Sequence, residues 1–167
     1  MNKFGRKGYT LEEAVRRMER YCAYQERSHR EVKEKLREMR MIPQAIDEIL
    51  VHLITHDFLN EGRFTSSFIR GKFNQKGWGK DRLRRELKFR NIESRLIEKT
   101  LEQEISQEEY LEKLQSLGRK RWEALAGESP VKRKQKFVNY LLYRGWESEK
   151  VFGLLKSLEE GVNKPGI

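Results

Sequence analysis

Cysteine is nearly absent from this chain: Cys22 stands alone among 167 residues. No intramolecular disulfide can form, and its place on the stripe Leu11, Ala14/Val15, Met18, Cys22 makes it a core residue. No apolar run approaches the about 20 residues of a membrane helix, and Met1 to Thr10 lacks the apolar centre of a signal peptide. The expected setting is the cytoplasm, off the membrane. Period-two alternation of β-branched residues persists nowhere, so no strand is expected. Histidine is scarce. His52 and His56 sit at i,i+4, a spacing zinc can use, but no third ligand and no His-Glu-x-x-His order accompanies them, and with His29 they read as surface or half-buried side chains. The glycine-dotted stretch Gly71 to Lys80 lacks the phosphate-loop signature, because Asp81 follows the lysine where a hydroxyl should be. No catalytic set can be assembled, and neither a metal nor a cofactor is expected.

Positive charge is plentiful and unevenly spread. Lysine and arginine number 36 against 26 acids, for a net charge of +10. Between Arg70 and Arg95 ten basic residues face three acids, so this stretch holds +7 of that total. A charge so concentrated is an address for a polyanion. Leu83 and Leu87, four apart with Phe89 or Arg90 a turn later, give the stretch one packing face, while Arg82, Arg84, Arg85 and Lys88 fan across the rest. Arg63, Arg70, Lys72, Lys76, Lys80 and Arg90 extend the same candidate surface. Gly77-Trp78-Gly79 just ahead reads as a tight turn presenting a large aromatic outside the core. A second cluster, Lys132, Arg133, Lys134 and Lys136, is a candidate for a separate contact.

Helical signals run along almost the whole chain. Thr10-x-x-Glu13, Ser28-x-x-Glu31 and Ser106-x-x-Glu109 are capping boxes, and Pro43 suits a first helical turn. The first box opens a helix through about Gln25, and a later helix is expected from about Glu61 to Asn74. Leu111, Leu114, Leu117 and Trp122 mark an inner face, as do Phe137, Leu141 and Leu142. The pattern also repeats: Leu36, Leu87 and Leu141 are followed five residues later by Met41, Ile92 and Trp146, and ten residues later by Ile46, Ile97 and Val151. Leu50, Leu101 and Leu155 continue the register, with offsets of 51 and then 54 residues. Such phase across three units predicts an all-α fold, an elongated, curved array of three tandem three-helix repeats. The units are 10–58, a basic second unit 59–105, and 106–160, followed by a fraying tail 161–167.

Three segments carry a resemblance. Arg27-Ser28-His-Arg-Glu31-Val32-Lys-Glu-Lys35-Leu36, Phe58-Leu-Asn60-Glu61-Gly-Arg63-Phe64 and Gly79-Lys-Asp-Arg82-Leu-Arg-Arg-Glu86-Leu87-Lys-Phe-Arg90-Asn91-Ile92, in this order on a threefold repeat, resemble the bacterial RecX family, regulators of the recombinase RecA. The likeness runs from Thr10 to Glu160. It implies a non-enzymatic inhibitor that binds in the groove of the RecA–DNA filament and limits ATP hydrolysis, strand exchange and filament persistence. The partners implied are the RecA filament and single- or double-stranded DNA, met as a monomer. Arg40 and Asn91 stand where the family usually has the glycine that ends the second helix. Asparagine tolerates a left-handed cap and arginine less so, so the first unit's turn is expected to differ. Asn60-Glu61 replaces a paired Asp, and Glu61 and Arg63 read as chiefly structural. Three-helix units also resemble helix-turn-helix proteins, so direct duplex binding is the competing reading.

Overall fold

The computed structural model describes residues 8–161. Nine α-helices follow one another among these residues, with no strand: α1 (Leu11–Tyr24), α2 (His29–Glu38), α3 (Pro43–Thr55), α4 (Glu61–Gly71), α5 (Lys80–Phe89), α6 (Ser94–Glu104), α7 (Gln107–Ala124), α8 (Pro130–Tyr143) and α9 (Ser148–Glu159). The expected tail lies outside the described residues, apart from Gly161. Thr10 and Ser28 close full capping boxes on Glu13 and Glu31. At Ser106 only half the box forms: its hydroxyl accepts from the Glu109 amide, while the Glu109 carboxylate takes Arg70 instead.

The threefold register is visible in the core. Leu36, Leu87 and Leu141 are completely buried, as are Ile97 and Val151, with Ile46, Leu50, Leu101 and Leu155 close behind. Each fully buried leucine contributes roughly 1.5–3 kcal/mol relative to exposure. The end of the second helix in each triplet is built alike. Met41, Ile92 and Trp146 each donate their amide to the carbonyl of Leu36, Leu87 and Leu141 respectively. The residue before each is left-handed, Arg40 at φ 58°, Asn91 at φ 60° and Gly145 at φ 86°. Arg40 therefore makes the same turn as its counterparts, contrary to the expectation from its side chain. The buried leucine below and the six-to-one hydrogen bond impose the turn, and the arginine accepts the strain.

The triplets are not equally coupled. α1, α2 and α3 enclose one core, joined by Leu59. α4 to α9 share a second, continuous one, running from Phe64 through Trp146 to Leu155. The principal helix pairs all lie within a triplet, and it is this shared side-chain core that joins the second to the third.

Several expectations are corrected locally. The helix expected to reach Asn74 stops at Gly71 and continues as a π-helical turn, Lys72–Lys76, that ends on left-handed Gly77. This wider turn buries Phe73 and delivers the Lys72 carbonyl to the Trp78 amide. Trp78 is half-buried against Phe68 rather than presented to solvent. On α7 the inner face carries Tyr110, completely covered, and leaves Leu111 38% exposed. Leu142 is likewise 37% exposed and Leu11 43%, while Phe89 lies outside the core at 65%.

Candidate nucleic-acid interface

The glycines around Trp78 serve a junction between the second and third triplets. The Gly79 amide donates to the Arg144 carbonyl at 2.8 Å, the Asp81 amide to Gly145 at 3.0 Å, and the Trp146 indole N–H to Gly77 at 2.9 Å. A Cβ on Gly79 would fall 2.5 Å from the Gly145 carbonyl oxygen, and one on Gly145 would fall 2.2 Å from the Arg82 Cβ. Only glycine lets these backbones meet. Beneath the contact Tyr110 accepts from the Lys80 amide and donates to Glu147, and burial together with that carboxylate pushes its hydroxyl well above the ordinary tyrosine range.

Much of the basic surface turns inward onto this framework. Arg82 is half-buried, its guanidinium 4.1 Å from the Trp78 ring and 4.8 Å from that of Tyr143, donating to the Tyr143 carbonyl. Arg84 bonds both oxygens of Glu98 at 2.6 and 3.1 Å and lies 3.4 Å from Asp81. Those hydrogen bonds hold the Glu98 carboxyl below its usual range and raise the arginine. Arg90 meets Glu86 and the Phe68 ring. Arg70 bridges Glu104 and Glu109, and Arg63 bridges Glu26 and Asp57. The structural reading of Arg63 and Glu61 agrees with this, since Glu61 faces His29 and the Asn60 side chain caps α4. Lys72 lies over Phe68 and Trp78, and Lys80 over Tyr110.

In the third unit Arg133 stacks on Trp122 at 3.7 Å and donates twice to its carbonyl. Lys134 pairs with Glu159 and Lys136 with Glu128. Lys76, Arg85, Lys88 and Lys132 are exposed and form no ion pair among the described residues. Of the fourteen candidates these four are the ones open to a partner without first breaking a contact. Sequence spacing missed the commitments because the acids that take Arg63, Arg70 and Arg84 lie on other helices or, for Glu26, in the loop after α1, 14–39 residues away apart from nearby Asp57 and Asp81. It also missed Arg121, Tyr140, Tyr143 and Arg144, which sit together on α7 and α8; the one available signal was aromatic and basic residues sharing a helical stripe.

His52 meets Glu19 at 2.7 Å and His56 bonds the His52 carbonyl. Among the described residues no group of three His, Cys, Asp or Glu is placed to hold a metal ion, and no helix is long and apolar enough to cross a membrane.

Residues 60–101 match the family model described as RecX, second three-helix domain, and residues 107–155 that of the third three-helix domain. The chain belongs to the RecX family. Among relatives, Regulatory protein RecX of Yersinia enterocolitica serotype O:8 / biotype 1B is 27% identical over 120 residues, 71% of this chain and 68% of the relative. The Regulatory protein RecX of Haemophilus influenzae (strain PittGG) is 27% identical over 134 residues, 80% of this chain and 86% of that one. RecX from Lactobacillus salivarius, a crystal structure, superposes with a TM-score of 0.75 over 90% of this chain and 97% of its own, at 23% identity. At that identity the likeness is one of fold, and it extends the RecX architecture across the first triplet as well.

Proposed function

We propose that this RecX-family chain is a non-enzymatic modulator of RecA, binding in the groove of the RecA–DNA filament and limiting ATP hydrolysis, strand exchange and filament persistence during DNA repair and recombination. The observation that carries the reading is the family match in the second and third units, in order and with only residues 102–106 between them. The elongated fold supports it, since an array can follow a filament surface over several subunits. So do the open cations Arg85 and Lys88 on α5, which suit phosphate or an acidic protein face. The partners are the RecA filament and single- or double-stranded DNA, met by a cytoplasmic monomer without a cofactor, and the working units are 10–58, 59–105 and 106–160.

The test is RecA-dependent strand exchange with this protein added near the RecA concentration. Exchange and ATP turnover should both fall; if both are unchanged, the reading is wrong. Within it, Arg85→Ala/Lys88→Ala should weaken DNA binding at low salt and flatten the log–log salt slope by about 1.4–1.8, two phosphate contacts' worth of released counterions. Arg84 is a poor choice for that experiment because its loss strands Glu98.

A further inference from the structure

The third triplet carries a second basic surface, set apart from α5 by two tyrosines on one helical stripe, whereas the exposed ring of α5, Phe89, lies under Arg30. Along α8, Lys132, Lys136, Tyr140 and Tyr143 recur at i, i+4, i+8 and i+11, one stripe of the helix roughly 16 Å long. Where α8 faces α7, the stripe borders a shallow, open groove of about 630 Å³ lined by Arg121, Lys136, Asn139, Tyr140 and Tyr143 among others.

Three observations there point to a ligand. Tyr143 is 70% exposed although the Arg82 guanidinium lies 4.8 Å from its ring, so most of the ring is open. Tyr140 has Arg121 and Arg144 against its ring at 4.7 and 3.7 Å. Arg121 forms no ion pair or hydrogen bond through its guanidinium among the described residues, and its Nε is buried without a partner. An arginine left without an acceptor is a place for an oxyanion. Around the two tyrosines stand Arg82, Arg121, Lys136 and Arg144, against one acid lining the groove, Glu128, which Lys136 engages.

Cations alone would fit duplex DNA or an acidic protein face. An open ring edged by arginines asks for something flat, and duplex DNA keeps its base faces covered by stacking. Unpaired bases offer them, and stacking on an aromatic side chain beside a basic groove is how sequence-tolerant binding of single strands is built. We propose that the α7–α8 face binds single-stranded nucleic acid, a base stacking on Tyr143 while adjacent phosphates meet Arg121 and, by displacing Glu128, Lys136. This adds a single-strand surface to the phosphate-facing cations of α5, and rests on the functional reading only in expecting a DNA contact.

The test uses the full chain without RecA, so its failure and that of the strand-exchange assay are separate events. Fluorescence anisotropy would follow binding to a labelled oligothymidine of about 20 nucleotides, longer than one site, and to a labelled duplex of equal length. Tyr143→Ala should weaken oligothymidine binding roughly tenfold and duplex binding by less than about twofold, while Tyr143→Phe keeps the wild-type affinity. Circular dichroism checks that both variants remain helical, as the exposed position predicts. The proposal is overturned if Tyr143→Ala binds oligothymidine like the wild type, if it loses duplex binding equally, or if Tyr143→Phe fails as the alanine does. It is also overturned if the wild type binds neither probe, which would assign the face to an acidic protein surface.

Discussion

Three helices end on the same left-handed residue, yet only Gly145 of the third is free of a Cβ; Arg40 and Asn91 carry one. Left-handed backbone costs an ordinary residue roughly 1–2 kcal/mol. Arg40→Gly should therefore raise stability by about 1 kcal/mol, less the extra entropy of a more flexible unfolded chain. Asn91→Gly should gain less, because asparagine already tolerates this conformation. Gly145→Ala should do the reverse, since the new methyl would meet Arg82 at 2.2 Å and force the junction apart. Urea unfolding of the three variants ranks them, and an Arg40→Gly midpoint below the wild type would contradict the strain. Cys22 makes a second residue-scale prediction. Burial pushes its thiol up to about 11, so at pH 8 it should resist iodoacetamide in the native protein and react once urea unfolds it. Reaction at the rate of a free thiol would place it outside the core.

Among elements, α5 is fastened to α6 by Arg84 and Glu98. The carboxyl's range is depressed in the folded state, so the pair's contribution is fully present above the ordinary glutamate range and is lost as pH falls through the depressed value. Both side chains are solvated enough that it is worth at most about 1 kcal/mol. Glu98→Gln should consequently unfold at lower urea than the wild type at pH 7 and converge with it as the pH falls through the depressed range of the carboxyl; a gap that widens on acidification would reverse the assignment. This pair also marks the limit of what the sequence makes legible. Capping residues and the Leu36, Leu87 and Leu141 register are local or periodic, and they can be read directly. Whether an arginine points at solvent or at an acid depends on how helices cross, which is why Arg63, Arg70 and Arg84 read as open surface and are partly spoken for. Tyr110 displaced Leu111 from the inner face for a related reason: its ring packs between Trp146 of its own unit and Phe73 of the second.

At the scale of the whole molecule, the two cores set the pattern of opening. α1–α3 carries a small core of its own, whereas α4–α9 shares a larger one and the glycine-mediated junction. Native-state hydrogen exchange should show amides of α1–α3 opening at lower free energy than those of α5, α6 and α8; equal protection throughout would mean the cores act as one. The threefold repeat was legible from spacing, but this inequality was not, since it arises from where Trp146 and Tyr110 reach across units. Beyond Leu59 in the first core, the links between the first triplet and the second are largely polar: Glu26 with Arg63, His29 with Glu61, and Arg30 stacked 4.4 Å over Phe89 while donating to its carbonyl. The consequence is mechanical. The two triplets that share a core should move as one bar with the first as its more compliant end, because the joint relies on ion pairs that salt screens within about 3 Å at 1 M. Small-angle scattering should therefore find a broader spread of end-to-end distances in concentrated salt, with the bar itself unchanged.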